Sequence, residues 1–279
     1  MRLLSILILL LLSLTATGKP VSIIHQGIKL NAELTEQGNK QQRFFLILHG
    51  TLAWHGMELP STLQTLLEEE EHGSLALSLS YGVTDRKGFY DCKQPITGTH
   101  DDAQAEIALW VDYLKNKGYS NIVLIGHSRG GAQMATYALD HPDKVKQVYL
   151  IAPMVWQKTT VDQSYKKQTG RALDALLKQK TAQLSHVRAL HCKDSQISQR
   201  AFASYYSELP QKNTPTLVSK TTVPTTIYLG SDDPLTARLQ KQLPLLRNNP
   251  NVRIKTIIDA DHFFRDFYAD EIVSDMLGL

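Results

Sequence analysis

Short, wholly apolar runs alternate along this chain with segments whose apolar positions recur every three or four residues. Phe44–Leu48 is apolar at every position and stops at His49-Gly50, which predicts a strand buried on both faces and running into a loop. Leu75, Leu77 and Leu79, and the runs at 122–125, 145–152, 225–229 and 252–258, predict further strands. Two short strands at 22–25 and 28–34 would join near Gly27. Between these lie helical stripes. Leu63, Leu66 and Leu67 form one, followed by a solvated acidic run at 68–71 and a stop at Gly73. Ile107, Trp110, Val111 and Leu114 form another at i, i+3, i+4 and i+7, ending before Gly118, and residues 134–139 a third.

Strands separated by helices require crossover connections, so the pattern predicts an α/β fold with a mostly parallel sheet flanked by helices. One stretch breaks the alternation. From Trp156 to Thr222 no buried strand is evident, and Leu173, Leu176, Leu177, Leu184 and Val187 pattern as helix. Residues 155–222 are too many for an ordinary loop. They are expected to form a helical lid over the C-terminal strand ends, inserted before the strand at 225–229.

The first residues have a different character. Met1-Arg2 precede a nearly unbroken Leu/Ile run from Leu3 to Leu14, followed by Ala16, Thr17 and Gly18. A basic tip, a short apolar stretch and an A-x-G site describe a secretory signal peptide over residues 1–18. The apolar stretch is short of the roughly 20 residues needed to span a bilayer. The expectation is a secreted or periplasmic protein with no stable membrane insertion after cleavage, an uncleaved anchor being the alternative. The remaining 19–279 would form the folded domain.

Composition narrows the partners. Lys and Arg number 30 against 27 Asp and Glu, a net +3, too small an imbalance to point to nucleic acid. Two cysteines cannot build a disulfide-rich scaffold or a Cys-based zinc module. The chain carries no H-E-x-x-H, EF-hand or phosphate-cradling Gly-Lys-Ser/Thr motif, so neither cofactor nor metal is implied. The expected partner is a small molecule.

The chemistry centres on Gly126-His127-Ser128-Arg129-Gly130, a G-x-S-x-G pattern lying between a predicted strand and a predicted helix. That placement is what a nucleophile elbow needs: a tight turn that lifts the Ser128 hydroxyl above the sheet. With its strand order and motif order, the chain resembles the α/β-hydrolase superfamily, whose members carry Ser, then an acid, then His along the chain. A serine hydroxyl needs a base, and the base an orienting carboxylate. Of the downstream histidines only His262 follows a late strand, in Asp259-Ala260-Asp261-His262-Phe263-Phe264. Asp261 departs from the small residue usual before that His, and would either bias the imidazole's charge or point to solvent. The acid falls in Gly230-Ser231-Asp232-Asp233-Pro234, where the family pattern favours Asp233 and leaves Asp232 as fallback.

The resemblance also implies an oxyanion hole. One donor would be the Arg129 N–H, the other the Thr51 N–H of His49-Gly50-Thr51-Leu52, with Leu52 as runner-up. The Arg129 side chain would face solvent or a neighbouring helix. In an oxidising compartment Cys92 and Cys192 would form a disulfide tying lid to body, or else remain two buried thiols. Trp54, Met57, Trp156 and Tyr165 would either line an apolar pocket near the lid root or simply pack the lid. The resulting expectation is a lipase-like serine esterase acting on a carboxylic ester or related acyl bond. A peptidase or amidase, an acyltransferase and a non-catalytic binding protein are the alternatives.

Overall fold

The structure, a computed structural model, describes residues 18–207 and 213–279. The leader expected at 1–18 lies outside the described residues except for Gly18. The chain begins with strands β1 (Lys19–His25), β2 (Ile28–Thr35) and β3 (Phe44–Leu48), then helix α1 (Glu58–Glu69), β4 (Ser74–Ser78) and α2 (His100–Asn116). Next come β5 (Ile122–His127), α3 (Arg129–Asp140) and β6 (Gln147–Ile151). After β6 follow α4 (Lys158–Thr169), α5 (Leu173–Leu177), β7 (Gln183–Ala189), β8 (Cys192–Ser198), α6 (Gln199–Tyr206) and α7 (Thr214–Val218). The last elements are β9 (Thr225–Gly230), α8 (Thr236–Gln240), α9 (Leu243–Arg247), β10 (Val252–Ile257) and α10 (Phe267–Leu277).

Eight strands form one sheet in the order β1-β2-β4-β3-β5-β6-β9-β10. β2 runs antiparallel to β1 and β4, and from β4 to β10 every pairing is parallel. Alternation on the central strand builds both layers of core. Phe44, Leu46 and Leu48 pack with Ile107, Trp110, Val111 and Leu114 of α2 and Met134 of α3. Phe45 and Ile47 pack on the opposite face with Leu59, Leu63 and Leu67 of α1 and Ile272 and Met276 of α10. Burial on both faces is what a continuous apolar strand requires. A capping box starts α2: Thr99 accepts from the Asp102 N–H while the Asp102 carboxylate accepts from the Thr99 N–H.

The insertion departs from the helical expectation. Leu184 and Val187 lie on β7, which pairs antiparallel with β8 in a separate hairpin. The register shifts between Leu184 and Val187 and again between Val187 and Ala189, so residues three and then two apart share the buried face. A bulged strand therefore carries a spacing that otherwise reads as helix. Trp156 and Tyr165 are buried and outside the cleft lining, Tyr165 edge-on to Phe202 and Tyr206. The hairpin is fastened to the body twice. Cys92, in the β4–α2 connection, is disulfide-bonded to Cys192 with Cα atoms 5.5 Å apart, and Ile96 bridges Ile197. Among the described residues no helix is long and apolar enough to cross a membrane.

Candidate active site

β5 ends at His127 and α3 begins at Arg129, leaving Ser128 alone to make the turn. Its φ of 54° lies in the left-handed region, a strained conformation for a residue with a Cβ. The turn is held by the Ser128 N–H on Ile151 O and by Ser128 O, which accepts from Gly131 and Met154. So tight a turn excludes side chains around it. A Cβ on Gly126 would stand 2.5 Å from Gly130 O, and one on Gly130 2.4 Å from His49 O. Both glycines of the pentapeptide are thus required by close backbone approach.

Three strand ends converge here. Ser128 follows β5, Asp233 follows β9 and His262 follows β10. His262 Nε2 lies 3.1 Å from Ser128 Oγ, and its Nδ1 lies 2.9 Å from Asp233 Oδ2. A carboxylate accepts, so Nδ1 carries the proton and Nε2 is left as acceptor for the serine hydroxyl. Asp233 is 4% exposed. Burial alone would raise its pKa, but hydrogen bonds from His262 and from the Leu235 N–H on Oδ1 (2.8 Å) hold it below the usual carboxylate range. Asp232 is exposed, and among the described residues its carboxylate accepts from Ser231 Oγ at 3.2 Å and makes no bond to the imidazole. Asp261, whose role the sequence left open, caps its own turn: its Oδ1 accepts from the N–H groups of Phe263 (2.8 Å) and Phe264 (3.2 Å). His127 Nε2 contacts His262 O at 2.8 Å and so fastens the loop that carries the imidazole. Desolvation, with the neighbouring His262, pushes His127 down to about 4.

Thr51 and Arg129 both line the cleft and carry backbone donors. Arg129 is the first residue of α3, so its N–H has no intrahelical acceptor. The Thr51 N–H likewise has no acceptor among the described residues, whereas the Leu52 N–H is taken by Tyr81 Oη at 3.0 Å. That bond removes Leu52 as a donor and leaves Thr51. The Arg129 Nε–H donates to Thr51 Oγ1 at 3.0 Å, linking the two segments.

A brace lies beneath the loop that sequence reasoning missed. Arg86 is buried, and its guanidinium donates to Leu79 O (2.6 Å), Gly88 O (2.8 Å) and Ala53 O (2.8 Å). Beside it His49 accepts from the Leu79 N–H through Nε2 at 3.1 Å, and burial holds this imidazole neutral by lowering its pKa well below normal. Nothing in the sequence marks Arg86, because its acceptors are backbone carbonyls contributed from three separate positions. Nor does the sequence mark Glu106, whose carboxylate accepts from the Ser80 N–H and hydroxyl and which burial raises to about 7.

Ser128 opens into a cleft of about 670 Å³. Met57, Phe89, Met154, Leu235 and Phe263 give it apolar walls, and His191 reaches it from the insertion. Trp54 is not part of the lining. Among the described residues no group of three His, Cys, Asp or Glu side chains is placed to hold a metal ion.

With the fold and the site in view, the kinship is plain. Residues 44–190 match the alpha/beta hydrolase fold family over more than half of the chain, and the protein belongs to that family. Among solved structures it is similar to Est1E of Butyrivibrio proteoclasticus with ferulic acid bound. That match has a TM-score of 0.68 at 20% identity, covering 92% of this chain and 98% of the other. A hydrolase-like structure from Agrobacterium vitis aligns with TM-score 0.66 at 16% identity, covering 94% and 97%. A thioesterase domain from the curacin biosynthetic pathway aligns with TM-score 0.62 at 14% identity, covering 93% and 99%. In sequence, a segment of 82 residues is 34% identical to a probable 1-acylglycerol-3-phosphate O-acyltransferase of Oryza sativa subsp. japonica. That segment is 29% of this chain and spans only 19% of the relative's length.

Proposed function

We propose that the protein is a serine hydrolase that cleaves a carboxylic ester or related acyl bond through an acyl-enzyme on Ser128. The observation that carries this reading is the continuous hydrogen-bonded line from Ser128 Oγ through His262 to Asp233, at 3.1 and 2.9 Å. In the proposed reaction Ser128 Oγ attacks the substrate carbonyl carbon while His262 Nε2 takes the hydroxyl proton. The carbonyl oxygen becomes an oxyanion that accepts from the N–H groups of Arg129 and Thr51, fixed donors of a kind whose removal costs about 3 to 4 kcal/mol of barrier. His262 then returns the proton to the departing alcohol as the C–O bond breaks, leaving the acyl group on Ser128. Water attacks that ester with His262 again as base, and the acid departs with the serine proton restored.

Asp233 stays ionised throughout, holding the imidazole in the tautomer that leaves Nε2 free. Its lowered pKa supports that role. The esterase and thioesterase among the structural neighbours support acyl chemistry of this class. The disulfide supports an oxidising, extracytoplasmic location in keeping with the apolar leader.

Turnover of short-chain 4-nitrophenyl esters tests the proposal. Ser128→Ala is expected to abolish it, and undiminished turnover in that variant would overturn the assignment. Acyl transfer to an alcohol would use the same acyl-enzyme. Its sign would be formation of a new ester, in place of free acid, when an alcohol acceptor is added.

A further inference from the structure

The side chain of Arg129 has work left over after its contact with Thr51. Its Nε–H is satisfied there, and the guanidinium carbon lies 5.4 Å from the Tyr205 ring centroid, but Nη1 is buried without an acceptor. Arg129 makes no ion pair among the described residues, although it forms part of the cleft wall beside the nucleophile. Its charge is felt by Tyr81, Tyr205, Tyr206 and His191. The rest of the lining does not supply the missing charge. Glu58 is its one acidic side chain among the described residues, and Glu58 already faces Arg265 at 3.9 Å. A cation half withdrawn from water without a counter-charge is costly. Nη2 also has no hydrogen-bond partner among the described residues and, unlike Nη1, is not buried, so it is the donor that a carboxylate or phosphate oxygen in the cleft would meet.

We infer that Arg129, on the cleft wall beside Ser128, selects substrates carrying an anionic oxygen group, a carboxylate or a phosphate, close to the scissile acyl bond. This rests on the reading of the cleft as the acyl-substrate site. The Arg129 N–H would serve the reaction while its side chain chooses the substrate.

Binding to the full chain carrying Ser128→Ala, where turnover cannot intervene, tests the inference by titration calorimetry. One arm compares the 4-nitrophenyl monoester of glutaric acid with its ω-methyl ester. The other compares the butyryl ester of glycerol phosphate with butyrylglycerol. Preference for the anionic member by about tenfold or more in either arm is expected, and the arm that shows it identifies the group. Arg129→Gln added to that background should bring the ratio near unity, and Arg129→Lys should keep part of it. A purely bracing role would weaken both members alike and leave the ratio unchanged. Equal binding of both members in both arms, or a ratio that survives Arg129→Gln, would overturn the inference. Failure of hydrolysis would be seen separately, in wild-type kinetics, and would leave this ratio readable.

Discussion

The sheet-borne site and the inserted segment solve the problem of placing side chains in opposite ways. Ser128, Asp233 and His262 stand at the ends of parallel strands held in register by their neighbours, so each position follows from the pairing of the sheet. The insertion between β6 and β9 has no such template. Its hairpin belongs to a second sheet, and it is tied to the body by the Cys92–Cys192 disulfide and the Ile96–Ile197 bridge. Through His191 the insertion reaches the cleft. The candidate triad thus rests on the sheet, and the insertion adds His191 to a cleft whose other walls come from the body.

Substitutions on the two sides should separate these contributions, and the largest effect belongs to the sheet. Asp233→Asn keeps the shape but favours the wrong imidazole tautomer, so kcat on a 4-nitrophenyl ester should fall by about 10⁴ with the melting temperature little changed. On the insertion side, replacing both cysteines by serine opens a loop closed across a sequence separation of 100. Chain entropy puts that cost at about 4 to 5 kcal/mol of unfolding free energy, measurable by urea denaturation. Residual activity of the folded fraction should exceed that of Asp233→Asn. Thr51→Pro removes one oxyanion donor and should lower kcat by about 10² to 10³.

The smallest effect concerns pH. Glu106 is raised to about 7 by burial, so between the unfolded carboxyl value near 4.5 and about 7 the folded chain binds more protons than the unfolded one. Stability contributed by this group therefore falls as pH rises through that window. Glu106→Gln should match the wild type near pH 4.5 and exceed it at pH 8 by up to about 3 kcal/mol in thermal or urea unfolding. A variant destabilised at both pH values would contradict this.

The same contrast governs what could be read from the sequence. The buried strands β3 and β5 are apolar at nearly every position because parallel strands are covered on both faces, and runs that short and that apolar rarely arise elsewhere in a fold. Gly126 and Gly130 mark the elbow because backbone atoms approach within reach of any Cβ. Leu184 and Val187 misled because a bulge changes the two-residue period of a strand into a spacing of three. Asp233 over Asp232 needed the family order, since both follow the same strand and only the fold buries one of them. Arg86 and Glu106 left no pattern: Arg86 is satisfied by the carbonyls of Leu79, Gly88 and Ala53, and Glu106 by the N–H and hydroxyl of Ser80, 26 residues away.

The Ser128 hydroxyl, with His262 as its base, is expected to become covalently acylated, and mass spectrometry of the protein after exposure to a fluorophosphonate shows whether it does. A single adduct on the peptide containing Ser128 is expected, lost or severely slowed in His262→Ala. Labelling that is absent in the wild type, falls on another residue, or proceeds undiminished in His262→Ala would contradict it.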